Sequence, residues 1–248
     1  WGEELEEMHA LDEWPPGAEV SLPVAPSRRQ RVATYLVHDS HCLDTRDHED
    51  HTFCGIMFDV QTKHVLPVDE VVVTSVWVRG DLGPMQVFST EGPYIQKYQT
   101  PSAWSLHFEA VMPPSMMVQA ELLLDPPIVI KGGCSAAIYV HSRNKGNGMA
   151  PESIVYNNRR LEVTYDDRFL QVLPGMAHTG PVPFSRVGYW GGAWRPEREF
   201  VGRLDYGVKW LLWNPEVHKR FPAEFRDVVR LLLLVHRRQE TALSLLPD

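Results

Sequence analysis

VVVTSVWVRGDLGPMQVFS, residues 71–89, decides the fold class. Its first eight residues are dense in β-branched side chains, as suits a strand covered on both faces. Gly80 and Gly83-Pro84 break the run, and MQVFS (85–89) resumes it. The same alternation of short apolar run and breaker extends both ways. VATYLV (32–37) and GIMFDV (55–60) come before. WSLHFEAV (104–111), MVQAELLL (117–124), PIVIKGG (127–133), SAAIYVHS (135–142), SIVYN (153–157), RLEVTY (160–165) and FLQVL (169–173) come after. WSLHFEAV alternates as a strand with one wet face does. Many short strands with regular turns and no long helix between them predict an all-β fold, an antiparallel β-sandwich or jelly roll over residues 31–212.

The flanks differ. Residues 1–30 form an N-terminal extension that opens with the acidic stretch GEELEEMHALDEW, in which Leu5, Met8 and Leu11 lie one helical turn apart. Pro15-Pro16-Gly17 stops that helix, and Pro23 and Pro26 mark an extended linker. A short acidic amphipathic helix on a proline tether suits docking on a partner, and equally suits packing on its own domain. Residues 213–248 form a helical tail. In PAEFRDVVRLLLLVHRR (222–238), Phe225, Val228, Val229, Leu232 and Val235 make one apolar stripe, widened by Leu231. Pro222 suits the helix start, Glu224 and Asp227 its positive end, and His236 to Arg238 its negative end. The expectation is that the sandwich covers the stripe.

At 248 residues, 44% apolar and 23% charged, the chain has the composition of an ordinary globular protein. Its net charge of -8 argues against nucleic-acid binding by phosphate neutralisation. The clusters Arg28-Arg29-Arg31 and Arg226, Arg230, Arg237, Arg238 read as solvated charge. Three cysteines are too few for a disulfide scaffold and suit a reducing compartment, with a Cys42–Cys54 bridge as the alternative. The longest apolar run, Leu231 to Val235, is far too short to cross a bilayer. With no signal peptide apparent in these residues, an intracellular site is expected; the start at Trp1 rather than Met suits a processed, truncated or fragmentary chain, with a plastid or mitochondrion as the site if a transit peptide has been removed.

Potential metal ligands concentrate in HDSHCLDTRDHEDHTFC (38–54). His48, His51, Cys42 and Cys54 supply a donor set for tetrahedral zinc, although neither cysteine belongs to a C-x-x-C pair. His48 and Asp50, with His107 or His141 from a later strand, supply the two-histidine-one-carboxylate set of iron(II) oxygenases, and Arg143 lies near for an acidic cosubstrate. The plain alternative is a polar loop between strands. A second feature is YWGGAWRPEREF (189–200), where Tyr189, Trp190 and Trp194 offer stacking surface for a sugar or a partner chain. Against this stands packing at the end of the sandwich, with Trp210 and Trp213 nearby. Hydrolase and nucleotide-binding signatures are missing: no G-x-S-x-G, P-loop or G-x-G-x-x-G occurs. Asp166-Asp167 are adjacent at a turn and point apart, and KGGC (131–134) reads as a turn after which Cys134 starts a buried strand.

The order GIMFDV, VVVTSVWV, MQVFSTEGPY and a Trp104-led strand resembles a PHR-like β-sandwich module of large algal and protist proteins, and is similar to the PHR-type sandwich of ubiquitin-ligase and adaptor proteins. Val87, Phe88, Gly92 and Tyr94 match the family's turn motif, and the resemblance covers residues 54–142. It implies a binding or scaffolding module without catalysis and transfers no functional residue. The expected role is therefore a non-enzymatic interaction or scaffold module, an accessory subunit with protein partners. The alternatives are a metal-dependent jelly-roll enzyme and a carbohydrate-binding module.

Overall fold

A computed structural model describes residues 35–48, 51–64, 68–144, 153–158, 162–189 and 191–243. The chain divides into Trp1–Ala33 and Thr34–Asp248, and the described residues all belong to the second unit. The docking candidates Leu5, Met8 and Leu11 lie outside the described residues, as do Asp50 and Trp190.

The described chain is a sandwich of two antiparallel sheets with one C-terminal helix. The small sheet has four strands: β1 (Tyr35–Asp44), β14 (Arg203–Trp210), β4 (Val68–Gly80) and β7 (Ser115–Lys131), in that order. The large sheet runs β2 (His51–Phe53), β9 (Ile154–Asn158), β13 (Trp194–Phe200), β12 (Gly175–His178), β3 (Gly55–Thr62), β8 (Ser135–Ser142), β5 (Gly83–Glu91) and β6 (Ser105–Met112). β11 (Leu170–Val172) adds to β3 beside β12 and carries β10 (Tyr165–Asp166). The core lies between the sheets. Val71, Val73, Val76 and Val78 of β4 meet Ile56, Phe58 and Val60 of β3 and Ile138 and Val140 of β8 in one cluster. Alternate residues of each strand point inward, as the period of two requires.

Three expected boundaries change. MVQAELLL and PIVIKGG are one strand, β7, in which Leu124 to Pro127 bulge opposite the single residue Thr74. Prolines survive there because β7 is an edge strand, with one side free of ladder hydrogen bonds. Of the described residues of RLEVTY only Tyr165 enters a strand. The stretch read as an aromatic loop is a strand from Trp194 on: the polar WRPEREF pairs with both β9 and β12, so backbone pairing overrides its composition. Cys134 is exposed at the turn between the sheets, and all three cysteines are free, so no Cys42–Cys54 bridge forms.

The helix α1 spans Ala223–Leu243. Asn214 caps the short 3-10 turn before it, accepting from the Glu216 and Val217 N–H groups. Buried Phe221 then stacks on Phe225 at 4.7 Å. Beyond that first turn most of the apolar stripe is uncovered, Val229 alone of its members being half-buried. Val228 is 55% exposed, Leu231 57%, Leu232 64% and Val235 53%, so the expectation that the sandwich covers the helix does not hold. The physical reason is that the two sheets already close the core without it.

Candidate functional site

The stretch rich in metal ligands is divided between the two sheets. Cys42 lies on β1, paired with Asp205 of the small sheet. His51 lies on β2 and Cys54 just after it, in the large sheet. Cys54 is buried, donates to the Thr179 carbonyl at 3.3 Å, and its thiol is pushed up to about 12 by burial. His48 is exposed, its backbone N–H held by Asn157 Oδ1 at 3.2 Å. Among the described residues no three His, Cys, Asp or Glu side chains converge to hold a metal. The alternative set is likewise separated. His107 turns toward the inter-sheet side near Ile128, whereas His141 shares the outer face with Tyr139.

That outer face carries a second core. Met57, Trp104, Ala137, Tyr139 and Phe184 are buried there, with Phe88, Tyr94, Tyr98, Ala103 and Trp194 packed around them. Phe184 adopts a left-handed backbone (φ 60°) to bring its ring against Tyr139 and Trp104. Such a conformation costs an L-residue about 1–2 kcal/mol, which ring burial offsets. His178 bridges this layer to the loop above it. Its Nε2 donates to the Ser185 carbonyl at 3.1 Å, because a carbonyl only accepts; its Nδ1 therefore accepts from the Tyr139 hydroxyl at 2.7 Å. His141 Nε2 donates to the Gly180 carbonyl at 3.0 Å, and its Nδ1 is buried without a hydrogen-bond partner. Burial lowers the pKa of His178 to about 4; burial and the neighbouring His178 lower that of His141 to about 3. Both rings are thus neutral structural groups that tie down the chain after β12 at Gly180 and Ser185. Thr179 closes the same loop through the Gly192 carbonyl at 3.0 Å.

Trp194 stacks one face on His178, with centroids 4.0 Å apart, and meets Tyr98 edge-on. Its ring is engaged in packing, and Tyr189 is half-buried. Trp210 packs against the main core and Trp213 donates to His218 Nδ1 at 3.0 Å, in line with their expected packing role.

A groove of about 480 Å³ opens between the sheets, lined by Ser89, Thr90, Glu91, Lys97, Ser105 and His107 with Ala103, Ile128, Val129 and Ala136. Two bulges build it. On β6, Phe108 pairs with Val87 and Leu106 with Phe88, leaving His107 as the extra residue. On β7, the bulge at Leu124–Pro127 brings the Pro126 carbonyl toward it. Bulges re-aim side chains in this way. Ser89 Oγ and His107 Nε2 are 2.7 Å apart, and His107 Nδ1 lies 2.6 Å from the Pro126 carbonyl oxygen. Ser89 was not singled out by sequence reading: no local motif surrounds it, and its partner comes from another strand.

Two exposed apolar surfaces complete the picture. One is the stripe of α1. The other is the connection between edge strands β6 and β7, where Val111, Met117 and Val118 face outward. No helix among the described residues is long and apolar enough to cross a membrane. Comparison with protein-family models, curated proteins and solved structures yields no match.

Proposed function

We propose that the chain is a protein-interaction or scaffold module whose docking element is α1. The observation that carries this reading is the exposure of Val228, Leu231, Leu232 and Val235 along one helix that the sandwich leaves uncovered. A contiguous apolar patch of this kind marks an association surface. Burying one such leucine fully against a partner contributes roughly 1.5–3 kcal/mol toward the cost of association, and the i, i+3, i+4, i+7 spacing suits a helix-in-groove mode. The partner is accordingly a protein with an apolar groove. The resemblance of residues 54–142 to PHR-like sandwiches supports the same role.

The test is affinity purification of the chain from its source cells beside a Leu231→Glu/Leu232→Glu variant, with bound proteins quantified by mass spectrometry. Proteins retained by the wild type and lost from an equally stable variant are expected. Equal retention by both would remove the helix from the interaction.

A further inference from the structure

The groove carries chemistry that the docking role does not use. We infer that Ser89 is a nucleophile activated by His107 for acyl transfer, acting on esters with a short apolar acyl group. The argument starts from the tautomer. The Pro126 carbonyl only accepts, so at 2.6 Å the hydrogen of the neutral ring lies on Nδ1. Nε2 then presents its lone pair, and the Ser89 hydroxyl 2.7 Å away donates to it. This is the arrangement of a general base holding a serine, with a main-chain carbonyl as the group that orients the ring.

The surroundings fit. Ser89 and His107 are each 8% exposed, so both meet the groove from a largely water-excluded floor. Ala103, Ile128, Val129 and Ala136 supply apolar lining for an acyl chain, and Lys97 brings positive charge to the same groove. Lys97 Nζ donates to Thr90 Oγ1 at 3.4 Å and to the Glu91 carbonyl, which holds the ammonium at the groove. Positive charge there favours the oxyanion that forms during attack.

The steps balance without an external reagent beyond water. Ser89 Oγ bonds to the ester carbonyl carbon while its proton moves to His107 Nε2. The C–O bond to the alcohol then breaks, and the alcohol leaves with that proton. Water attacks the acyl-serine, gives a proton to the same nitrogen, and releases the carboxylic acid as Ser89 recovers its hydrogen.

The experiment uses the full chain and an alkyl fluorophosphonate, which phosphonylates activated serines irrespective of the natural substrate. Intact-mass and peptide mass spectrometry are expected to show a single adduct on Ser89. Ser89→Ala should abolish it at an unchanged melting temperature, and His107→Gln should slow it by roughly 10²–10⁴-fold, the usual contribution of a general base. If His107→Gln does not fold, the Ser89→Ala comparison still decides. No adduct on the folded wild-type chain, or an adduct that persists in Ser89→Ala, would overturn the assignment. This result is independent of the fate of the helix variant, which leaves the groove untouched.

Discussion

His178 and Trp194 stack with ring centroids 4.0 Å apart and planes 20° from parallel, joining β12 to β13 on the outer face of the large sheet. The same imidazole also accepts from Tyr139 and donates to Ser185, so one side chain fastens an aromatic layer to the loop above it.

The histidines make the fold acid-sensitive. His178 and His141 take up a proton near 4 and near 3 in the fold, against an ordinary 6.5. Between those values the unfolded chain binds more protons, so stability falls as pH drops from about 6.5 toward 4. Urea titrations across that range should show a falling midpoint, and a flat profile in an Asp59→Asn variant, which lacks the opposing carboxylate, would contradict the buried neutral rings.

Asp59 works in the opposite direction. Burial raises its pKa to about 6, against the partial relief of the Tyr94 N–H at 3.0 Å. The raised value favours the protonated form, so this residue's contribution is best below about 4 and is lost as pH rises through 6. Asp59→Asn keeps an acceptor for Tyr94 and removes the charge. It should stabilise the protein at pH 7.5 by on the order of 2 kcal/mol and steepen the acid limb left to the histidines.

Gly175 marks a closely packed point of the large sheet. A Cβ there would stand 1.8 Å from the Met57 carbonyl oxygen, which is backbone and has no rotamer to yield. Gly175→Ala should cost roughly 1–3 kcal/mol in chemical denaturation, the usual range for overpacking. A neutral result would mean that β12 can move off β3.

The helix should be nearly silent in the same assay. Leu231→Glu/Leu232→Glu should change unfolding free energy by about 0.5 kcal/mol or less, as exposed sites do. Leu204→Ala, fully buried on β14, should lose about 2–5 kcal/mol. Similar losses for both would show that the helix packs in solution.

The β-sandwich was legible because strands such as Val71–Val78 and Gly55–Val60 bury continuous or alternating apolar sets, a local property. β13 was not, because WRPEREF owes its strand to the backbone of β9 and β12 rather than to its own composition. The ligand-rich stretch misled for the same reason in reverse: Cys42 and Cys54 are close in sequence, yet they belong to different sheets. The Ser89–His107 pair was hidden because two bulges on different strands create it, and bulge positions depend on register. The helix was read correctly as a helix, but the period of its apolar stripe carries no information about what covers it.

A sandwich that closes its own core leaves its appendage unconstrained by folding. Residues along α1 can change, lengthen or be replaced without eroding the body that displays them. Changes confined to the exposed side of the helix beyond its first turn therefore leave the packing of the two sheets as it is.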